Sequence, residues 1–378
     1  MSHSETGRRV VVFGLGGTIA MSTAATGGVA PALSAAELVA AVPGLAASGI
    51  DVEVVDFRQL PGAGLTFSDV LALAEAIGEY GGGADGFVVT QGTDTIEETA
   101  YLLDLIHAGP QPVVVTGAMR NPTQAGADGP ANLLAALHVA ADPQARGQGC
   151  MVVFNDEIHA ARRVRKTHTT STAAFRSLDG GPLGSVVEDE PRFHNRIVHR
   201  TVVPGTSAGA QRVPILTVAL GEDETLLNTI ADHIDGLVVA AFGAGHVPAA
   251  MVPALERLAA RIPVVLASRT GAGPVLESTY GFPGSERDLL SRGLIPCGYL
   301  HPLKARILLS ALLASGCDRA TLTAAIAAAG GHRGPETWPW PVDQPYRMQI
   351  GVPEMEPPPH EKTRSATAGP MTRHSPEG

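Results

Sequence analysis

Short apolar runs rich in β-branched residues alternate along this chain with stretches whose apolar positions recur at helical spacing. That alternation predicts parallel strands covered by helices. Residues 10–13, 52–57, 87–90, 112–116 and 151–154 read as strands of a first set. Between them, Ser34-Ala35-Ala36-Glu37 is a capping box opening a helix that stops before Pro43. Thr66 caps a helix with apolar Val70, Leu71, Leu73, Ala74 and Ile77, closed by Gly81-Gly82-Gly83. Thr95-Ile96-Glu97-Glu98 predicts a second capping box, so Thr93 and Asp94 stand just before a helix. Pro130 suits the first position of a helix reaching about Ala141.

The patterning weakens over 191–213, where Pro204-Gly205-Thr206-Ser207-Ala208-Gly209 suggests a linker. A second set follows, with strands at 215–219, 236–242 and 263–268. Its helices start at Glu224 and about Pro248, and two more span 304–314 and 319–329. Ten of the 29 prolines fall between Pro335 and Gly378, and no apolar periodicity survives there. Residues 331–378 are therefore expected to form an extended or disordered tail, with Trp338-Pro339-Trp340 as a group able to dock. The predicted architecture is α/β in two domains. A larger doubly wound, flavodoxin-like sheet occupies 8–190, a linker 191–213, and a smaller α/β domain 214–330.

Composition narrows the function. At 378 residues the chain exceeds one core and suits two domains. Lys plus Arg number 27 against 37 Asp plus Glu, a net charge of -10, which argues against nucleic acid as a partner. No uninterrupted apolar run reaches about 18 residues, so no membrane span is expected. Residues 1–9 are polar and run straight into a strand, unlike a signal peptide. Three widely spaced cysteines, Cys150, Cys297 and Cys317, suit a reducing compartment, and a cytoplasmic location is expected.

Two turns carry the candidate chemistry: Gly14-Leu15-Gly16-Gly17-Thr18-Ile19-Ala20 and Thr90-Gln91-Gly92-Thr93-Asp94-Thr95. Each follows a strand, where open α/β sheets place their ligands, and each sets a threonine beside glycines. A threonine hydroxyl is a weak nucleophile until a base takes its proton. The candidate base is Lys166, with Arg162, Arg163 and Arg165 as cations able to lower its pKa; the alternative is a solvated basic loop. Asp94 either orients Lys166, binds a substrate ammonium or caps a helix.

Gly14-x-Gly16 also invites a dinucleotide fingerprint, but Ile19 stands at the third glycine position. Asp56 also lies about twice as far along as the roughly 20 residues that motif requires. Asp156-Glu157-Ile158-His159 offers metal-ligand types, against a reading as a solvated loop. His246 follows a strand and either looks into a cleft or makes a structural hydrogen bond. His233 and His301 read as surface or packing residues.

Several segments together resemble the signature segments of bacterial L-asparaginases. They are Gly16-Gly17-Thr18-Ile19-Ala20, Gln91-Gly92-Thr93-Asp94-Thr95 and Thr116-Gly117-Ala118-Met119-Arg120. Ala127-Asp128-Gly129-Pro130-x-Asn132-Leu133, Lys166-Thr167-x-Thr169-Thr170, Phe175-x-Ser177 and Pro302-Leu303-Lys304-Ala305-Arg306 agree too, in order, over about residues 8–330. The resemblance implies hydrolysis of asparagine to aspartate and ammonia with neither metal nor organic cofactor. It implies Thr18 as the nucleophile forming a β-acyl ester, and Thr93, Asp94 and Lys166 as a second hydroxyl–carboxylate–amine set. Backbone at Gly17, Gly92 and Thr93 would stabilise the oxyanion, Ala118 would hold the scissile amide, and Asp94 would take the α-ammonium. It further implies a homo-oligomer, a dimer or tetramer with sites at subunit interfaces.

The chain departs from that pattern in several places. Gly28 stands where a lid tyrosine is usual, and Gln59 where a serine binds the substrate carboxylate; the Gln59 amide still donates. His246 replaces a frequent asparagine, and Glu277 is the nearest counterpart of a glutamate supplied across the interface. Two other functions compete: an amidotransferase subunit feeding ammonia to a partner acting on transfer RNA, and a catalytically silent amino-acid-binding protein. The first usually carries an extra N-terminal domain, whereas this core begins by Val10; retention of Thr18, Thr93, Asp94 and Lys166 opposes the second.

Overall fold

A computed structural model describes residues 7–17, 19, 21–23, 29–31, 33–206 and 211–340, all within one compact unit. The strands in chain order are β1 (Arg9–Gly14), β2 (Met21–Thr23), β3 (Val29–Pro31), β4 (Asp51–Asp56), β5 (Gly86–Thr90), β6 (Val113–Thr116), β7 (Cys150–Phe154) and β8 (Glu157–Ala160). After them come β9 (Val164–Lys166), β10 (Phe175–Ser177), β11 (Gly184–Val187), β12 (Glu190–Phe193), β13 (Ile215–Thr217), β14 (Leu237–Ala241), β15 (Val264–Ser268) and β16 (Ile295–Pro296). The helices are α1 (Ala35–Ala40), α2 (Phe67–Tyr80), α3 (Ile96–Ile106), α4 (Gly129–Ala141), α5 (Thr225–Ile230), α6 (Val252–Ala259), α7 (Glu286–Ser291), α8 (Pro302–Ala314) and α9 (Arg319–Gly330).

The large sheet runs β12-β11-β8-β7-β6-β5-β1-β4. Its parallel part, β4-β1-β5-β6-β7, has the flavodoxin-like order, and the order reverses between β1 and β5. Period-two alternation sorts the strand residues between two helical layers. Val11 and Phe13 of β1 share a core with Leu73, Ile77 and Leu103 of α2 and α3. Val10 and Val12 face the other way, into a core with Leu133, Ala136 and Leu137 of α4. Both faces being buried, the strands read as continuous apolar runs. A second, all-parallel sheet of order β13-β14-β15-β16 is covered on one face by α6 and α7 and on the other by α8 and α9.

Two expectations meet different structure. At Ser34 and Thr66 the side chains cap their helices with reciprocal boxes, but Thr95 makes no side-chain cap. Its hydroxyl instead donates to the Gly62 carbonyl at 3.0 Å and accepts from the Gln91 amide at 3.2 Å, joining two loops rather than closing a helix. The acidic segment after β7 is a tight hairpin. Asn155 and Asp156 take φ of 50° and 62°, the left-handed pair that suits the twist of antiparallel strands. Among the described residues, no group of three or more His, Cys, Asp or Glu is placed to hold a metal.

The stretch between the sheets is firmly packed where it is described. Arg200 donates to the carbonyls of Gly109 and His107, the Val203 amide donates to the Leu105 carbonyl at 2.7 Å, and Val202, Val203 and Val213 are buried. Trp338, past the last helix, is buried as well, and its indole donates to the Val202 carbonyl at 3.2 Å. Residues 341–378 lie outside the described residues. No helix of the described residues is long and apolar enough to cross a membrane.

Candidate active site

The two glycine-rich turns meet at the carboxyl ends of β1 and β5, where the strand order reverses. The Leu15 amide donates to the Thr90 carbonyl at 2.8 Å, extending the ladder into the turns. Beyond it the backbones touch. A Cβ at Gly17, whose φ is 85°, would stand 2.0 Å from the Gly92 nitrogen. A Cβ at Gly92 would stand 2.7 Å from the Gly62 nitrogen. Only glycine permits such a stack, which brings backbone donors of different loops to one place. Thr18 and Gly28 lie outside the described residues.

Lys166 reaches the second turn from a different strand. It ends β9, whose hairpin with β10 pairs Lys166 with Phe175, itself stacked near Phe154 with ring centroids 4.6 Å apart. From there Lys166 Nζ donates to Thr93 Oγ1 at 2.9 Å and to Asp94 Oδ1 at 2.9 Å. Thr93 is buried, the Lys166 side chain is 17% exposed and that of Asp94 66%. The hydroxyl is therefore shielded while its carboxylate neighbour faces solvent. Asp94 thus holds an amine and caps no helix. The Lys166 amide also donates to Glu97 Oε1 at 3.3 Å, tying β9 to the first turn of α3.

Two other expected residues lie near the ends of the same strands. Gln59 lines a cleft of about 410 Å³ with Gly16, Asp56 and Thr90, over the end of β1. Ala118 is buried against Ile19. Its turn is fixed by α4: Asp128 accepts from the amides of Met119 at 3.0 Å and Arg120 at 2.8 Å, and the Asn132 amide donates to the Gly117 carbonyl at 3.0 Å. His246 and Glu277 lie elsewhere in the chain. His246 Nε2 is 3.2 Å from Glu286 Oε2, its ring edge-on to Tyr280 and Phe282. Glu277 stands 3.5 Å from His332 Nδ1 and 3.7 Å from Arg333. Among the described residues, neither makes a hydrogen bond or ion pair with Thr93, Asp94 or Lys166.

The arginines near Lys166 do not neighbour its amine. Arg162 reaches the His199 carbonyl, Arg163 that of Asp179 and Arg165 that of Gly271. Alternation along β9 sends Arg165 and Lys166 to opposite sides. His159 is buried, bonded to Ser177 Oγ at 3.0 Å, and burial, with Arg176 adding to it, pushes its pKa down to about 4. His301 caps α8 by accepting from the Leu303 amide, as a packing residue would.

Sequence reasoning missed the roles of Gly62, Thr95, Glu97 and Lys304. Lys304 is buried on α8, and its Nζ donates to the backbone carbonyls of Glu97 and, at 2.8 Å, Ala161. Burial pushes its pKa down to about 8, against the opposing charges of Glu97 and Glu98. A lysine amid the apolar residues of α8 was the available signal, since a buried cation needs oxygen partners.

Comparison with known proteins agrees with this geometry. The family model described as "Asparaginase, N-terminal" matches residues 9–199, and "Glutaminase/Asparaginase C-terminal domain" matches residues 212–326. A probable L-asparaginase of Deinococcus radiodurans is 38% identical over 317 residues, spanning 82% of this chain and 94% of its own length. An L-asparaginase of Bacillus licheniformis is 34% identical over 315 residues, spanning 82% and 96%. The crystal structure of a probable cytoplasmic L-asparaginase from Campylobacter jejuni superposes with a TM-score of 0.75 at 32% identity, covering 84% of this chain and 99% of that one. With two touching glycine turns at the switch point, a lysine bonded to a threonine there, and both family models matched in order, the chain belongs to the asparaginase family.

Proposed function

We propose that this protein is an amidohydrolase that converts L-asparagine to L-aspartate and ammonia through a threonine acyl ester. The observation that carries the reading is Lys166 Nζ, held 2.9 Å from both Thr93 Oγ1 and Asp94 Oδ1 at the sheet's switch point. In this reading Thr18 attacks the side-chain amide carbon, its proton leaves with ammonia, and a β-aspartyl ester forms. Water then attacks the ester, Thr18 regains its proton, and aspartate departs. Thr93 and Lys166 move the protons through the hydrogen bond that joins the hydroxyl to the amine.

Backbone amides at Gly17, Gly92 and Thr93 receive the oxyanion, a role the close approach of the turns supports. Ala118 backbone holds the amide, Gln59 binds the α-carboxylate, and Asp94 takes the α-ammonium with its exposed oxygen. The reaction needs neither metal nor organic cofactor. A second order of events, with Thr93 attacking first, is favoured by the same Lys166 contact. Quenching a turnover and locating the aspartyl adduct by peptide mass spectrometry separates the two. The adduct is expected on Thr18. Adduct on Thr93 reverses the order, and no ammonia release from wild type, or full release from Thr18→Ala, overturns the proposal.

The same reading makes the protein a cytoplasmic homo-oligomer, a dimer or tetramer. His246 and Glu277 then serve a site from across an interface, consistent with their lying apart from Lys166 within one chain. Free Cys150, Cys297 and Cys317 suit that compartment. The two sheets support two domains, 8–190 and 214–330 with 191–213 between them, and the edge strand β12 carries the large sheet on to Phe193.

A further inference from the structure

The arginine cluster before Lys166 is not used by the proposed chemistry, and the structure sets it on a cavity of its own. This cavity of about 410 Å³ is lined by Arg163, Arg165 and Arg196 from the first half of the chain and by Gly271, His301 and Arg333 from the second, among others. Its lining includes none of Thr93, Asp94 and Lys166.

The charges in it are unbalanced. Arg163 Nη1 donates to the Asp179 carbonyl at 2.7 Å, Arg165 Nη1 to the Gly271 carbonyl at 2.9 Å, and Arg196 to the carbonyl and side-chain oxygens of Gln144 at 2.9 and 3.0 Å. These acceptors are neutral, so they aim each guanidinium without cancelling its charge. Among the described residues, no carboxylate lies within ion-pairing distance of the three. Arg162 and Arg333 also line the cavity, but lie 3.8 Å from Asp104 and 3.7 Å from Glu277. Asp179 is the one carboxylate in the described lining, and its Oδ1 is engaged by the Gly273 amide at 3.1 Å. With Lys304, whose amine in the same lining bonds only to the Glu97 and Ala161 carbonyls, four cations without an ion pair among the described residues thus face one carboxylate, in a chain whose net charge is -10.

Arg163 and Arg196 are exposed and Arg165 is half-buried, and oxygens from separate segments hold all three around a common space. Each guanidinium keeps further N–H donors in a planar fork that matches carboxylate and phosphate oxygens, and low-dielectric walls strengthen the shared field. We propose that this cavity binds a compact polyanion carrying at least two negative charges, a polycarboxylate or a phosphate compound, clamped between the two halves of the chain.

The test is thermal unfolding of the full-length protein in citrate and in pyrophosphate, each against potassium chloride of equal ionic strength. A ligand that binds only the folded state raises Tm with saturation, by about 3 °C at a hundredfold excess over Kd. A rise with citrate alone identifies a polycarboxylate, with pyrophosphate alone a phosphate compound, and with both a site that reads charge. Arg163→Gln with Arg196→Gln should abolish the rise. Both positions are exposed, so the ligand-free Tm should stay within about 2 °C of wild type. Arg196→Gln alone, raising the half-saturating concentration about tenfold, provides the same check should the double variant fold poorly. An equal rise in potassium chloride, a rise retained by a folded double variant, or no rise with either anion overturns the proposal.

Discussion

Lys166 Nζ lies 2.9 Å from the Thr93 hydroxyl oxygen, although 73 positions separate the two residues. The contact joins a hairpin strand to the turn after β5, and Asp94 shares the same nitrogen. If the three side chains act as one unit, their losses do not add. Lys166→Met and Thr93→Ala are each expected to lower kcat for asparagine by roughly a thousandfold or more. The double variant should fall less than about tenfold further. Steady-state ammonia release with circular dichroism as a folding control checks this; a product of the two single losses would show independent roles.

Gly17 supplies a second expectation. With φ of 85° and its ideal Cβ 2.0 Å from the Gly92 backbone nitrogen, Gly17→Ala must push two turns apart. Strain of this kind costs about 1–3 kcal/mol, before the displaced backbone is counted. Activity should vanish together with a lowered Tm. By contrast, Gly78→Ala, which meets nothing within contact distance on α2, should leave both nearly unchanged.

Lys304 is expected to act through structure. Lys304→Met removes a buried donor shared by the Glu97 and Ala161 carbonyls, a loss of about 1–3 kcal/mol. Chemical denaturation should register that loss. Because Glu97 also accepts from the Lys166 amide, turnover should fall too, but by less than in Lys166→Met.

Stability should decline in mild acid. Burial holds His107 and His159 down to about 4, helped by Arg200 and Arg176 respectively, and His301 to about 3. An unfolded histidine titrates near 6.5, so between pH 6.5 and 4 the unfolded chain binds protons that the folded chain refuses. The contribution is present above pH 6.5 and is lost as pH falls towards 4, roughly 1–3 kcal/mol for each histidine. Melting curves from pH 7 to 4 test it. His159→Gln should flatten the decline, and a curve parallel to wild type would count against the assignment.

Much of this arrangement is legible in the sequence. The strands β5, β6 and β7 fall where apolar β-branched runs stand, because both of their faces are buried. The box at Ser34 and the cap at Thr66 were readable because their partners lie three residues away. Thr95 followed the same local pattern and yet bonds to Gly62, 33 positions earlier, which no local rule anticipates. The Trp338 indole finds its acceptor 136 positions back, so a proline-rich stretch without periodicity still contributes a buried ring.

By itself the sequence determined the elements, their α/β alternation and the two glycine turns that end β1 and β5, since spacing and backbone freedom are local properties. Only the tertiary structure decided which side chains meet there. Lys166 reached Thr93 because β9 and β10 form a hairpin against the large sheet, while strand alternation turned Arg165 from the same run towards Gly271 and a different cavity. Neighbours in sequence were thereby given opposite surroundings, and residues far apart a shared hydrogen bond, because packing rather than spacing sets distances across a fold.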